Sequence, residues 1–261
     1  MPARASSPIG VFDSGVGGLS VLRALRSQLP REDFTYFADT GHAPYGERGE
    51  AYVADRSLTI TDALVAEHGI KALVVACNTA TAATVHLLRE AYPHMPIVGV
   101  EPALKPAAAL TKTKRVAVFA TRGTLSSAKF AVLRDSLSHL AQFTCVACDG
   151  LAAAIEAADA TKIEALSAVY MRAAGRFGPE AEAHDTLVLG CTHYPFAAGV
   201  LQRLAGDSVT LVETGEPVAR QTRRKLEEHA MLNDAGQGRV EWLTTGSMEA
   251  LRAAAQRWLA L

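Results

Sequence analysis

Two cysteines stand in matched settings. In ALVVACNTA, Ala72 to Ala80, an apolar run ends in Cys77 and passes at once into Asn78 and Thr79. In LVLGCTHYP, Leu187 to Pro195, an apolar run ends in Cys191 and passes into Thr192 and His193. A thiol where a strand hands over to a helix or turn meets N–H groups that stabilise its ionised form. Either cysteine alone reads as a small buried hydrophobe; the pair reads as chemistry. One thiol facing a carbon can remove a proton while a second delivers a proton to the opposite face, which inverts a stereocentre. A Cα–H beside a carboxylate is a very weak acid, so the base has to be an activated thiolate in a site that excludes water. A free thiol, with pKa ~8.5, is only a few per cent ionised at neutral pH. Asp13 and His193 are the candidate proton partners, one to accept the thiol proton and one to stabilise the thiolate. Their plainer readings are a helix cap for Asp13 and a hydrogen-bonded core or loop histidine for His193.

Other motifs carry less. Cys145 and Cys148 form a C-x-x-C, but no second C-x-x-C exists to complete a zinc site. Their segment reads as a strand, on which residues three apart face opposite ways, so packing is the expectation and no metal site is assigned. GVFDSGVGGLSVL lacks the full G-x-G-x-x-G, because Gly15 and Gly17 are followed by Ser20. Asp39 is a weak candidate for a ribose-binding acid. What remains is an anion-binding turn before a helix. No P-loop is present.

The elements that position these residues alternate along the whole chain. Strands are expected at Ile9 to Asp13, Phe34 to Ala38, KALVVACN, MPIVGVEP, RVAVFATRG, QFTCVACDG, TLVLGCTH, SVTLVET and RVEWLTTG. Helical patterns lie between them, among them Leu19 to Leu29, TLSSAKFAVLRDSLSHLA and the closing SMEALRAAAQRWLAL. Such alternation predicts an α/β fold with mostly parallel sheets flanked by helices. Ligands of those sheets bind outside the carboxyl ends of the strands. Asp13-Ser14, Tyr45-Gly46, Cys77-Asn78-Thr79, Thr121 and Cys191-Thr192-His193 all fall there. The pattern restarts near Arg115, which suggests two domains of one type.

The chain has 261 residues, is 49% apolar and 20% charged, and carries a net charge of −1. That suits an ordinary globular protein and gives no basic patch for nucleic acid. No apolar run approaches the ~18 residues of a membrane span, and MPARASSPIG has no signal-peptide core. A cytoplasmic location is the default expectation, with free thiols rather than disulfides.

The stretches GVFDSGVGGLSVLR, YFADTGHAPYGER, VVACNTATA, GVEPALKPA, ATRGT, LGCTHYPF and TGEPVARQ, in that order, resemble the glutamate racemases of the cofactor-independent aspartate/glutamate racemase family. The resemblance implies two similar α/β domains with the active site in the cleft between them. It implies residues 1–98 plus 213–261 for the first domain, which is discontinuous, and 99–212 for the second. It implies two-base racemisation of glutamate with no cofactor or metal, supply of D-glutamate for peptidoglycan, and a homodimer. Carried over by motif, Cys77 and Cys191 are the acid/bases. Asp13, Ser14, Tyr45, Gly46, Asn78, Thr79, Thr121, Thr192 and His193 contact substrate or tune the thiols. Glu156 maps to a family glutamate, but CDGLAAAI before it lacks the usual prolines, and it is left out of the site. The rival expectations are a racemase for aspartate or another amino acid, and a non-catalytic ligand-binding module with the same cleft.

Overall fold

The structure, a computed structural model, describes residues 4–259. The chain forms two compact units, Met1–Val100 with Gly215–Leu261, and Glu101–Thr214. The first unit begins with β1 (Ile9–Asp13), α1 (Leu19–Gln28) and β2 (Phe34–Ala38). Two 3₁₀ turns, Thr40–His42 and Tyr45–Glu47, lead to α2 (Glu50–His68), β3 (Ala72–Val75), α3 (Asn78–Ala91) and β4 (Ile97–Gly99). The second unit runs through α4 (Leu104–Leu110), β5 (Arg115–Ala120), α5 (Arg122–Ser126), α6 (Ala128–Ser136) and β6 (Gln142–Ala147). It continues with α7 (Leu151–Glu156), α8 (Ala160–Ala174), β7 (Thr186–Leu189), a 3₁₀ turn at Tyr194–Ala197, α9 (Ala198–Ala205) and β8 (Thr210–Val212). The chain then returns to the first unit with α10 (Gly215–Glu228), β9 (Val240–Thr244) and α11 (Met248–Leu259).

Each unit is a parallel sheet, and the two share one topology. The first has the order β4-β3-β1-β2-β9, the second β6-β5-β7-β8. Read from the other edge, the second is β8-β7-β5-β6. The third strand of each unit therefore pairs with its first, and the second strand lies on the first strand's other side. In such a sheet the order reverses between the first and third strands, and a crevice opens there at their carboxyl ends. Asp13 ends β1 and Cys77 follows β3; Thr121 follows β5 and Cys191 follows β7. Each thiol thus lies at the switch point of its own sheet. The inner strands are continuous apolar runs because helices cover both faces.

Two places differ from the sequence expectations. The helix expected across TLSSAKFAVLRDSLSHLA is broken at Ser127, which is extended (φ −72°, ψ 142°) and accepts the Phe130 N–H at 3.2 Å. A serine hydroxyl offers the backbone an alternative to continuing the helix, so Ser127 caps a new one. The closing helix is described to Leu259; Ala260 and Leu261 lie outside the described residues, as do residues 1–3 of the N-terminal stretch. Cys148 lies past the end of β6 rather than on it. The C-x-x-C sulfurs nevertheless diverge. Cys145 packs with Val116, Val118 and Phe143, whereas Cys148 packs with Ala117, Phe119 and Leu151.

Candidate active site

Cys77 is the N-cap of α3. Its Sγ accepts the Ala80 N–H at 3.5 Å, and the backbone is extended there (φ −136°, ψ 120°). Ser14 stands next to it, with Cys77 Sγ and Ser14 Oγ 3.8 Å apart and the thiol donating. Ser14 Oγ in turn donates to Asp13 Oδ1 at 3.4 Å. Asp13 is fully buried and also accepts the Ser14 N–H at 2.8 Å and the Gly18 N–H at 2.6 Å. Asp13 is not the N-cap of α1, which is Gly18, but its carboxylate holds the Gly18 N–H, and a chain of polar atoms runs from thiol through hydroxyl to carboxylate. Gly18 makes this possible. A Cβ there would stand 2.7 Å from Asp13 Cβ and 2.9 Å from the Tyr36 hydroxyl.

Asn78 and Thr79 open α3, and both are buried. Asn78 Nδ2 donates to Val100 O at 3.5 Å, while its Oδ1 is buried with no hydrogen-bond partner among the described residues. A buried acceptor left over in this way suits a donor brought by a ligand. Tyr45 and Gly46 begin the second 3₁₀ turn. Tyr45 is buried in the apolar cluster that holds Cys77, and its hydroxyl donates to Asp39 Oδ2 at 2.5 Å. Burial and that carboxylate push its phenol well above the usual range, so it stays a neutral donor. Asp39 is saturated by Tyr45, Arg56 and Thr245, which leaves it no place in nucleotide binding.

Cys191 is built differently. No α-helix begins at it; a 3₁₀ turn follows, with Pro195 in its first turn. Gly190 brings the backbone against β5, with its N–H donating to Phe119 O at 2.7 Å. A Cβ on Gly190 would meet that same oxygen at 2.8 Å. The partner of Cys191 is a side chain: Sγ lies 3.8 Å from His193 Nδ1. His193 Nε2 lies 2.6 Å from Glu156 Oε2. Burial disfavours the charged ring, but the hydrogen bonds to Cys191 and Glu156 outweigh it and hold the imidazole well above its usual pKa. Glu156, set aside on sequence, is the carboxylate that meets His193. The signal was present in the alignment of motifs; the missing prolines upstream argued against it.

Thr192 is buried beside Cys191. Thr121 caps α5, accepting the Thr124 N–H at 3.2 Å and sharing a 3.0 Å hydroxyl contact with Thr124. Asp13, Ser14, Tyr45, Gly46, Asn78, Thr79 and Cys77 are in the first unit; Thr121, Cys191, Thr192 and His193 are in the second. Burial pushes the Cys148 thiol far up, with the negative charge of neighbouring groups adding to it. It serves as packing. Among the described residues no cluster of histidine, cysteine, aspartate or glutamate could hold a metal ion, and no helix is long and apolar enough to cross a membrane.

Residues 9–222 match the family model described as Asp/Glu/Hydantoin racemase. The chain is 48% identical over 253 residues to a glutamate racemase of Ectopseudomonas mendocina (strain ymp), covering 96% of this chain and 94% of that one. It is similar to the crystal structure of Escherichia coli glutamate racemase in complex with L-glutamate and the activator UDP-MurNAc-Ala (TM-score 0.83, 32% identity, 97% and 95% of the two chains). It is similar also to that of the Francisella tularensis subsp. tularensis SCHU S4 enzyme in complex with D-glutamate (TM-score 0.82, 25% identity, 98% and 95%).

Proposed function

The chain belongs to the Asp/Glu/hydantoin racemase family, and on that premise we propose that it interconverts L- and D-glutamate by proton transfer at Cα between Cys77 and Cys191. The observation that carries the proposal is the pair of proton chains. Cys77 leads through Ser14 to Asp13, and Cys191 leads through His193 to Glu156. Each thiol has a route for its proton that ends on a carboxylate, and each lies at a sheet switch point.

In one direction Cys77, as thiolate, takes the Cα proton. The bond electrons stay on Cα and spread into the adjacent carboxylate. Cys191, as thiol, gives its proton to the opposite face, so the centre inverts and the two sulfurs exchange protonation states. The Ala80 N–H and the helix end favour the Cys77 thiolate. The raised pKa of His193 keeps its ring protonated, with Nδ1 3.8 Å from Cys191 Sγ. Ser14–Asp13 and His193–Glu156 then reset the thiols. In the other direction the roles reverse. Asn78, Thr79, Thr121, Thr192 and the Tyr45-Gly46 turn are assigned to the substrate's two carboxylates and ammonium. Cofactor-independence, D-glutamate supply for peptidoglycan, a cytoplasmic place and a homodimer are carried by the resemblance in motifs.

The test is circular dichroism of the purified protein with L-glutamate in D₂O and chelator, without added cofactor. Decay of the signal with deuterium appearing at Cα is expected. A flat trace with glutamate and a decaying one with aspartate would change the substrate and keep the chemistry. Flat traces with both would turn the assignment to a ligand-binding module. Cys77→Ser and Cys191→Ser should each lower kcat by at least ~10²-fold, the scale of removing a positioned acid/base; racemisation at the wild-type rate in either variant would sink the two-base assignment.

A further inference from the structure

The Asp39 carboxylate gathers three segments of the first unit. It is fully buried and takes donors on every lone-pair site: Arg56 Nη2 at 2.9 Å and Thr245 Oγ1 at 2.8 Å on Oδ1, Arg56 Nε at 3.0 Å and Tyr45 Oη at 2.5 Å on Oδ2. Arg56 comes from α2, Thr245 follows β9 in the returning segment, and Tyr45 is in the turn assigned to substrate. The Asp39 N–H donates to Asp13 O at 2.9 Å, so the hub is tied directly to the end of β1. Thr245 Oγ1 also accepts the Gly41 N–H at 3.0 Å, which holds the loop before Tyr45. With its proton committed to Asp39, the Tyr45 phenol has one orientation, and its ring packs in the cluster that contains Cys77.

This arrangement has an electrostatic sense. A buried carboxylate stays ionised at little cost only when it is paired and hydrogen-bonded. The bidentate guanidinium of Arg56 neutralises that charge. The four hydrogen bonds also fix the distance at which Tyr45 packs. Resting on the racemase proposal above, we propose that Arg56 and Thr245 are positioning residues: through Asp39 they fix Tyr45 against Cys77 and set the rate of proton transfer at that thiol.

The test measures kcat for both enantiomers, and the primary deuterium isotope effect on kcat/KM with each Cα-deuterated enantiomer, in the full-length enzyme. The variants are Arg56→Gln, Thr245→Val and Thr245→Ser, with Cys77→Ser and Cys191→Ser as references. Misplacement near a reacting centre costs up to about a hundredfold, and a fall of roughly ten- to a hundredfold in kcat is expected for Arg56→Gln and Thr245→Val. The isotope effects should rise for the enantiomer that Cys77 deprotonates and fall for the other, in the sense set by Cys77→Ser. Thr245→Ser keeps the donor and should behave as wild type. If Arg56→Gln fails to fold, Thr245→Val, which removes one hydroxyl, carries the test. Unchanged kinetics, a fall in kcat with unchanged isotope effects, or a shift in the sense of Cys191→Ser would each overturn the inference. A wild-type protein that racemises no glutamate would instead remove the proposal on which it rests.

Discussion

A thiol is a poor base until something keeps it ionised, and in the racemisation proposed above different groups serve the two cysteines. Cys77 relies on a helix end and a neutral hydroxyl; Cys191 relies on an imidazole backed by a carboxylate. The second arrangement contains an imidazole whose pKa is raised well above its usual value. His193 binds its proton more tightly in the folded protein than in the unfolded chain. The resulting stability is fully present below the unfolded pKa of ~6.5 and is lost as pH rises through the raised folded value. Glu156→Gln removes the charge that holds the proton, so the alkaline limb of kcat should move to lower pH. At pH 8 activity should fall about tenfold, equivalent to ~1.4 kcal/mol. The difference in Tm between this variant and wild type should be larger at pH 6 than at pH 9. A pH–rate profile with an unmoved alkaline limb would show that Glu156 plays no part in the ionisation of His193. The settings of Cys77 and Cys191 were legible because strand, thiol and polar pair are contiguous in sequence. The His193–Glu156 contact was not, because it joins a turn to the end of α7 and no local pattern encodes such a meeting.

Among the elements, glycines at the strand ends set how closely backbone and carboxylate approach. Gly18 and Gly190 differ in what an added methyl would displace. An alanine at Gly18 would press a methyl on the Asp13 and Tyr36 side chains, whereas one at Gly190 would press it on the Phe119 carbonyl, part of β5. Side chains yield more readily than a strand in a ladder. Overpacking costs about 1–3 kcal/mol, so Gly190→Ala should fall at or above the upper end and Gly18→Ala lower. Urea denaturation would measure both. Gly18→Ala should still lose most of its activity, because the displaced group is Asp13 itself; a stable and fully active Gly18→Ala would separate Asp13 from the chemistry. The alternation of strands and helices was legible from period and punctuation. The strand order was not. Nothing local to β3 says that it crosses to the far side of β1, and that crossing places Cys77 beside Asp13-Ser14.

At the scale of the whole chain, the first unit depends on its last 47 residues, Gly215–Leu261. All five residues of β9 pair with β2, and α10 packs on α1. At the opposite end of the strands from Cys77, a buried ion pair ties the same pieces together. Lys71 Nζ meets Glu32 Oε2 at 2.5 Å and also donates to the Ala5 carbonyl, while Glu32 Oε1 accepts the Asn233 N–H at 2.8 Å. Lys71 is fully buried and Glu32 nearly so. Burial pulls the Lys71 pKa down, and the hydrogen bond and charge of Glu32 resist that fall. Glu32→Gln would leave the ammonium without its counter-charge, and breaking such a pair typically costs ~3–5 kcal/mol. The two tryptophans, Trp242 and Trp258, both lie in the first unit. Tryptophan fluorescence therefore reports on that unit alone, while far-UV circular dichroism reports on both. With a urea m-value of ~1–3 kcal/mol/M for a domain of this size, the fluorescence midpoint of Glu32→Gln should drop by about 1 M or more. The dichroism curve should then split, because the second unit is contiguous in sequence and has its own apolar core on both faces of its sheet. Coincident fluorescence and dichroism transitions in this variant would mean that the second unit cannot stay folded when the first has opened.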